Sequence, residues 1–326
     1  MTKIKLIRLL NGVGRFIMKS IITGGAGFIG SHLCDLLLSR GHDVVCVDNL
    51  ITGSMKNLEH IKSDNFTYVQ HDVTKPFHYA GEVDYVFHLA SPATFKMCVE
   101  APTEIMKVNS EGTFNMLDFA KEKQARFLLA STSEVYGDPL VNPQSEVYWG
   151  NVSCTGPRSV YDEAKRFAES ITMAYYRYCG VDTRIVRIFN TYGPRMQIKD
   201  GRVIPNFVNQ ALSGDDITIY GDGSYTRSFC YASDEAEGIY RLMMSDYAEP
   251  VNIGNEHEIT MFELAELVLE VTGSQSKIIH KDSLTDDPKI RRPDISRARN
   301  MLSWEPKIGL EEGLNNTVEY FKSVRV

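Results

Sequence analysis

The run "SIITGGAGFIGSHLCDLLLSRG", residues 20–41, constrains this chain more than any other stretch. A short apolar segment feeds glycines at 24, 27 and 30, and apolar residues at helical spacing follow until Gly41. A strand that turns this tightly into a helix needs a crossover and then a second, parallel strand. "DVVCVDN" supplies it, and "FTYVQHDV", "VDYVFHLA", "ARFLLAST" and "DTRIVRIFN" continue the series. Helical spacing lies between most of them, in "NSEGTFNMLDFAKEK" and "VYDEAKRFAESITMAYYRYCG" above all. Strand alternating with helix over about 170 residues implies a parallel sheet covered on both faces. The expected fold class is α/β: a Rossmann-type doubly wound parallel sheet. After Asn190 the pattern loosens into Gly- and Pro-rich loops, a helix "VIPNFVNQALSG", a short "ITIYGDG" and mixed elements. That change predicts a smaller, interleaved C-terminal substrate-binding lobe. The expected division is an extension over 1–17, a sheet domain over 18–188 plus about 229–255, and a lobe over 189–228 and 256–326.

The glycine spacing G-x-x-G-x-x-G between strand and helix carries a chemical meaning in this context. Gly24 permits the turn, Gly27 lets backbone approach a pyrophosphate, and Gly30 lets helix pack on strand, while the helix N-terminus offers N–H groups and dipole. Asp48 ends the second strand 24 residues after Gly24, where an acid accepts from a ribose 2′-OH and repels a 2′-phosphate. The expected cofactor is therefore NAD rather than NADP.

Composition removes several other classes. The 326 residues carry a net charge of −7, unlike the basic balance of a general nucleic-acid binder. No apolar run approaches the ~20 residues of a membrane span. The six cysteines, at 34, 46, 98, 154, 179 and 230, show neither C-x-x-C nor close His/Cys spacing. No metal site is expected, and a reducing, cytoplasmic setting is. Residues 1–17 are basic and mildly apolar, with Arg8 and Arg15 interrupting any signal-peptide core.

Two further features bear on chemistry. In "SVYDEAKRFAES", Tyr161 and Lys165 stand four apart on one helix face. A phenol becomes a useful base when a nearby cation favours its phenolate, which a lysine one turn on supplies. In "LLASTSEVYGD" a buried strand ends on Thr132, Ser133 and Glu134, either as an ordinary cap or as a substrate-holding edge.

Taken together, the glycine turn, the strand-end threonine and the Tyr/Lys pair resemble the extended short-chain dehydrogenase/reductase superfamily, from Met18 to the C-terminus. "STSEVYGDPLVNPQSEVYWGNV", "GPRSVYDEAKR", "RIFNTYGPRM", "DGRVIPNF" and "DDPKIRRPDI" are similar to the UDP-glucuronic acid decarboxylase (UDP-xylose synthase) family. One departure is the loop "SPATFKMCVEAP", where the family commonly has a second Ser-Pro and a nearby Tyr. The resemblance implies NAD-dependent oxidation of a UDP-glucuronate at C4, loss of CO2 from the resulting β-keto acid, and re-reduction. The alternatives on the same scaffold are a nucleotide-sugar 4,6-dehydratase or 4-epimerase. Outside enzymes, a binding protein that kept the fold is the competing class, and the Tyr161, Lys165, Thr132 set argues against it. A dehydratase needs an acid beside its glutamate to expel water from C6, and Ser133 stands there instead.

The resemblance also implies residue roles. Tyr161 is the base, Lys165 supports it, Thr132 bonds the sugar 4-OH, and Glu134 positions the substrate and helps deliver a proton to C5. Cofactor contacts are implied for Gly24, Gly27, Phe28, Ile29, Gly30, Asp48, Asn49, Thr52, Gly53, Asp72, Val73, Leu89, Ala90 and Ser91, together with Tyr161 and Lys165. Substrate contacts are implied for Lys107, Asn190, Arg202, Tyr220, Arg227 and Arg291, with Arg227 and Arg291 (or its neighbour Arg292) on phosphate oxygens and Tyr220 against uracil. A homodimer through the helices carrying "TFNMLDFAKEK" and "YDEAKRFAESITMAYY" is implied as well. His88, set in "YVFHLA", reads as a structural residue.

Overall fold

Apolar strands alternating with amphipathic helices have one economical solution, a parallel sheet covered on both sides, and the computed structural model has it. It describes residues 17–199, 201–282 and 290–325, so the extension expected over 1–17 lies, but for Ile17, outside the described residues. Strands β1 (Lys19–Thr23), β2 (Asp43–Asp48), β3 (Phe66–Gln70), β4 (Tyr85–His88), β5 (Arg126–Thr132) and β6 (Thr183–Ile188) pair in parallel, and a later strand, Val251–Ile253, completes the sheet. The order runs β3, β2, β1, β4, β5, β6 and then Val251–Ile253. Connections diverge between β1 and β4, the switch point where such sheets hold ligands at their C-terminal edge.

Neighbouring side chains on each strand go to opposite faces, so each strand feeds two cores. Ile22, Val44, Cys46, Leu128 and Val186 meet Leu33 and Leu37 of α1 (Phe28–Ser39) and also Ile239 and Leu242. Ile21, Val45, Val86, Phe127 and Ile185 meet Met116 and Leu117 on the other face, with Ala168 and Ile171. Each such side chain contributes about 1.5–3 kcal/mol when fully buried. Leu37→Ala, at 0% exposure, would open a cavity costing about 2–5 kcal/mol.

Two short helices, α2 (Phe95–Glu100) and α3 (Pro102–Lys107), occupy the segment whose sequence gave only a loop. The Thr94 hydroxyl caps the first by accepting from Met97 N at 3.3 Å, and Pro102 opens the second with φ already helical. The helix expected from Asn109 begins as a π-helical turn over Val108–Gly112, and regular α4 starts at Thr113 and ends at Lys123. Helix α5 (Ser159–Cys179) stops at Gly180, which takes φ 72°. The C-terminal part forms α6 (Val203–Ser213), small two- and three-stranded sheets, and its own core of Phe207, Val208, Ile217, Leu264, Leu314 and Phe321. Among the described residues no helix is long and apolar enough to cross a membrane, and no His/Cys/Asp/Glu group could hold a metal.

Candidate active site

A cleft of about 1020 Å³ opens along the C-terminal edge of the sheet and runs from the glycine turn to the C-terminal part. Its first end is built by backbone. Gly24 has φ 72°, and a Cβ there would lie 2.8 Å from Ala90 N; one on Gly30 would lie 2.1 Å from Gly24 O. Helix α1 starts at Gly27 with no side-chain cap and no acid in its first turn, so its N–H groups face the cleft available to an anion. Asp48 is 8% exposed and accepts from Ala26 N at 3.0 Å and Leu50 N at 2.8 Å. Burial raises its carboxyl above the ordinary range although those backbone bonds oppose it. Each carboxylate oxygen retains a further lone pair for a hydroxyl. The cradle, the uncapped helix and this acid fit a dinucleotide.

Phe28, Ile29, Asn49, Thr52, Val73, Leu89, Ala90 and Ser91 line the same end. Gly53 and Asp72 do not line it. Gly53 packs its backbone on the Asp48 carboxylate, where a Cβ would meet Oδ1 at 2.8 Å, and Asp72 closes its own turn by accepting from Thr74 N at 2.9 Å. His88 is satisfied by Thr23 Oγ1 at 2.8 Å, and burial takes its imidazole down to about 3, which makes it a neutral core residue.

At the centre, β5 ends on Thr132, whose hydroxyl accepts from Glu134 N at 3.2 Å and opens a short 3-10 turn, Ser133–Tyr136. The strand end is thus both a cap and a wall of the cleft, with Thr132, Ser133 and Glu134 all lining it. Tyr161 rises opposite from the first turn of α5. Burial pushes its phenol well above the ordinary value, the Glu134 charge adds to this, and a hydrogen bond with Thr132 opposes it. Lys165 Nζ donates to Ala130 O at 2.9 Å and stands 5.9 Å from the Tyr161 ring centre. Its ammonium is brought down to about 7 by burial, against the opposing charge of Glu169. A hydrogen bond with Thr132 and the charge of Arg202 favour the phenolate.

Glu134 is clamped. Arg158 Nη2 holds Oε2 at 2.6 Å, and Arg291 Nη1 holds Oε1 while its Nη2 donates to Gly137 O at 3.0 Å. Burial would raise the carboxyl, but the two guanidiniums overcome it and hold it at about 2. Glu134 is therefore a permanent anion, and the proton donation expected of it is corrected: it has no proton to give near neutral pH. Arg291, expected on phosphate oxygens, is 4% exposed and committed to Glu134. Arg292 does not take its place, since it pairs with Glu258 at 3.0 Å. Asn190, Arg202, Tyr220 and Arg227 line the far end of the cleft. Lys107 does not: it is exposed on the last turn of α3, whose Ile105 turns inward, so the helix carries the lysine away from the cleft.

Comparison with known proteins places this geometry. The profile of the family described as GDP-mannose 4,6 dehydratase matches residues 21–317. UDP-glucuronic acid decarboxylase 1 of Arabidopsis thaliana is 51% identical over 313 residues, which cover 96% of this chain and 72% of that protein. UDP-glucuronic acid decarboxylase 1 of Danio rerio is 51% identical over 302 residues, 92% of this chain and 72% of that one. The chain belongs to the UDP-glucuronic acid decarboxylase family. This decarboxylase-family fold also superposes on the UDP-glucose 4-epimerase of Thermotoga maritima solved with UDP-glucose, with TM-score 0.85, 31% identity and coverage of 94% of this chain and 99% of that one. A dTDP-glucose 4,6-dehydratase of Streptomyces venezuelae solved with NAD gives TM-score 0.84, 27% identity and coverage of 94% and 98%.

Two residues of this family member escaped the sequence reading. Arg158 and Asp162 both line the cleft beside Tyr161. Asp162 is 5% exposed, and its Oδ1 is buried without a hydrogen-bond partner among the described residues. The signal was available in "GPRSVYDEAKR", where a base and an acid four apart share the face that begins the tyrosine helix.

Proposed function

We propose that this chain binds NAD and UDP-glucuronate in the cleft and converts the sugar nucleotide to UDP-xylose and CO2. The observation that carries the reading is the strand end Thr132-Ser133-Glu134 opposite Tyr161, with a hydroxyl where a dehydrating enzyme needs an acid. The ~50% identity to decarboxylases over most of the chain supports it. Gly24, Gly27, Phe28, Ile29 and Gly30 would hold the pyrophosphate of NAD, and Asp48 a ribose hydroxyl. Bound NAD supplies a reversible hydride acceptor for sugar C4.

The residues then have separable tasks. Thr132 orients the 4-OH and Tyr161 takes its proton, later returning it to the same oxygen. A ketone at C4 makes the C6 carboxylate a β-keto acid, whose C–C bond breaks without an acid on the departing group, so Ser133 suffices. Glu134, fixed by Arg158 and Arg291, accepts from sugar hydroxyls with a charge that stays constant. Asn190, Arg202 and Arg227 are assigned to the diphosphate and Tyr220 to the base. The sheet part, 18–188 with about 229–255, would serve the cofactor, and 189–228 with 256–326 the nucleotide sugar.

Exposed aromatics on α4 and α5 support a homodimer: Phe114 and Phe167 are 41% and 48% exposed, and their rings pair at 6.4 Å. Sedimentation of Phe167→Glu as a dimer would reject that interface. All six cysteines are free thiols, three of them buried, which supports a reducing compartment such as the cytoplasm. Fractionation of cells that places the protein elsewhere would reject it. The reaction itself is tested by incubating the purified protein with UDP-glucuronate and following CO2 and UDP-xylose by mass. Conversion to UDP-galacturonate instead, or dehydration of UDP-glucose, would overturn the assignment.

A further inference from the structure

Decarboxylation of a carboxylate consumes one proton, because the anionic C6 leaves as neutral CO2 and C5 keeps a hydrogen in its place. Some group in the cleft must supply it. Glu134 is excluded by its two arginines. The Tyr161 proton comes from O4 and must return there. Lys165 Nζ donates one of its N–H groups to Ala130 O at 2.9 Å, and the others are assigned to the cofactor. One acid remains.

We infer that Asp162 is the acid that protonates sugar C5 after CO2 departs, an assignment that rests on the proposed decarboxylation. Three observations carry it. Asp162 follows Tyr161 directly and lines the same cleft, as do Ser133 and Glu134. It is 5% exposed. Its Oδ1 lacks any hydrogen-bond partner among the described residues, which is costly for a buried carboxylate anion and tolerable for a neutral acid waiting for a ligand. The charges that bear on it are Glu134 from the β5 end, Glu163 and Arg158 from α5, and Arg291 from the C-terminal part, and the Cys98 thiol of α2 lies within reach of its charge. Burial leads, the two carboxylates reinforce it, the arginines oppose it, and the carboxyl is raised to about 7. Such a group is protonated often enough to donate and weak enough to reload from water.

The step balances. The C5–C6 bond breaks and its electron pair becomes the C4–C5 π bond of an enolate whose charge rests on O4. The Asp162 O–H then breaks, the π pair takes the proton to form C5–H, and the C4 carbonyl is restored. The resulting Asp162 carboxylate regains a proton from solvent.

Asp162→Asn tests it, since asparagine copies the neutral acid in size and cannot donate a proton to carbon. Expected in a single turnover of the NAD-loaded enzyme is CO2 release near the wild-type rate, with NADH persisting and UDP-xylose formation at least ~10²-fold slower. In the wild type the step from CO2 release to UDP-xylose slows about tenfold per pH unit above ~7, and in Asp162→Asn its rate is flat. Asp162→Glu restores the acid and part of that rate. Wild-type UDP-xylose formation by Asp162→Asn, or CO2 release in that single turnover slowing as much as UDP-xylose formation in a folded variant, would overturn the assignment. The infrared difference between wild type and Asp162→Asn separates this from the activity itself. A protonated-carboxyl band at pH 6 that titrates near 7 is expected even of a protein inert toward UDP-glucuronate, and its absence overturns the inference alone.

Discussion

Replacing Arg291 with glutamine removes half of the clamp on Glu134 without adding bulk. The Glu134 carboxyl sits at about 2 against an ordinary 4.5, although burial alone would raise it. At about 1.4 kcal/mol per pH unit that drop is worth about 3 kcal/mol, supplied by two arginines of comparable contact. Glu134 is one-sixth exposed and Arg291 nearly enclosed, with side chains at 17% and 5%, so solvent screens little of it. Arg291 and Glu134 should therefore couple by about 2 kcal/mol, while the single replacement costs about 3–5 because it strands a buried charge and the Gly137 carbonyl. The assay is a double-mutant cycle of Arg291→Gln and Glu134→Gln by urea unfolding at pH 7. The sign with pH follows from a folded value below the unfolded one: the contribution is complete above about pH 4.5 and fades as pH falls toward 2. The gap between wild type and Arg291→Gln should thus narrow between pH 4.5 and 3. A coupling below ~0.5 kcal/mol, or a gap constant over that range, would refute the reading of Arg291 as the partner of Glu134.

Tyr161→Phe loses a single oxygen and should keep its melting temperature while UDP-glucuronate turnover drops at least ~10²-fold; near-normal turnover would remove Tyr161 from the chemistry. Gly30→Ala places a methyl 2.1 Å from Gly24 O, so calorimetric titration should show NAD affinity at least ~10-fold weaker, and an unchanged constant would refute the cradle. Ser133→Asp sets a second carboxylate beside Glu134, with repulsion on the order of 4 kcal/mol at ~4 Å for an effective dielectric of 20. UDP-glucuronate should bind more weakly, and more so at pH 9 than at pH 6, while UDP-glucose suffers much less. Equal weakening of both ligands would show that position 133 does not face C6.

The cofactor end of the cleft was legible because its message is local. Gly24, Gly27 and Gly30 act through their own backbone, and Asp48 ends the strand next to them. The central strands were legible for a related reason, since strands covered on both faces are largely apolar, although β3 at the edge is only half-buried. The clamp was not legible. Glu134, Arg158 and Arg291 come from the turn after β5, the start of α5 and the C-terminal part, the two arginines 24 and 157 residues from the glutamate, and only the tertiary fold brings them together. An arginine in "KIRRPD" carries no mark in sequence that distinguishes a phosphate ligand from the partner of a carboxylate. That Lys107 stands outside the cleft was not legible either, because a lone lysine does not announce which side of a two-turn helix will be buried.

The position of Val251–Ile253 at the open edge of β6 has a consequence for how the chain is made. A ribosome delivers β6 some sixty residues before the strand that covers it, and all of α6 emerges in the interval. Until then the nascent sheet ends on a bare β6, whose unpaired N–H and C=O groups can recruit any extended segment nearby. Release of a chain broken off before residue 251 would leave that edge permanently open, and such fragments should aggregate rather than persist as a small cofactor-binding unit.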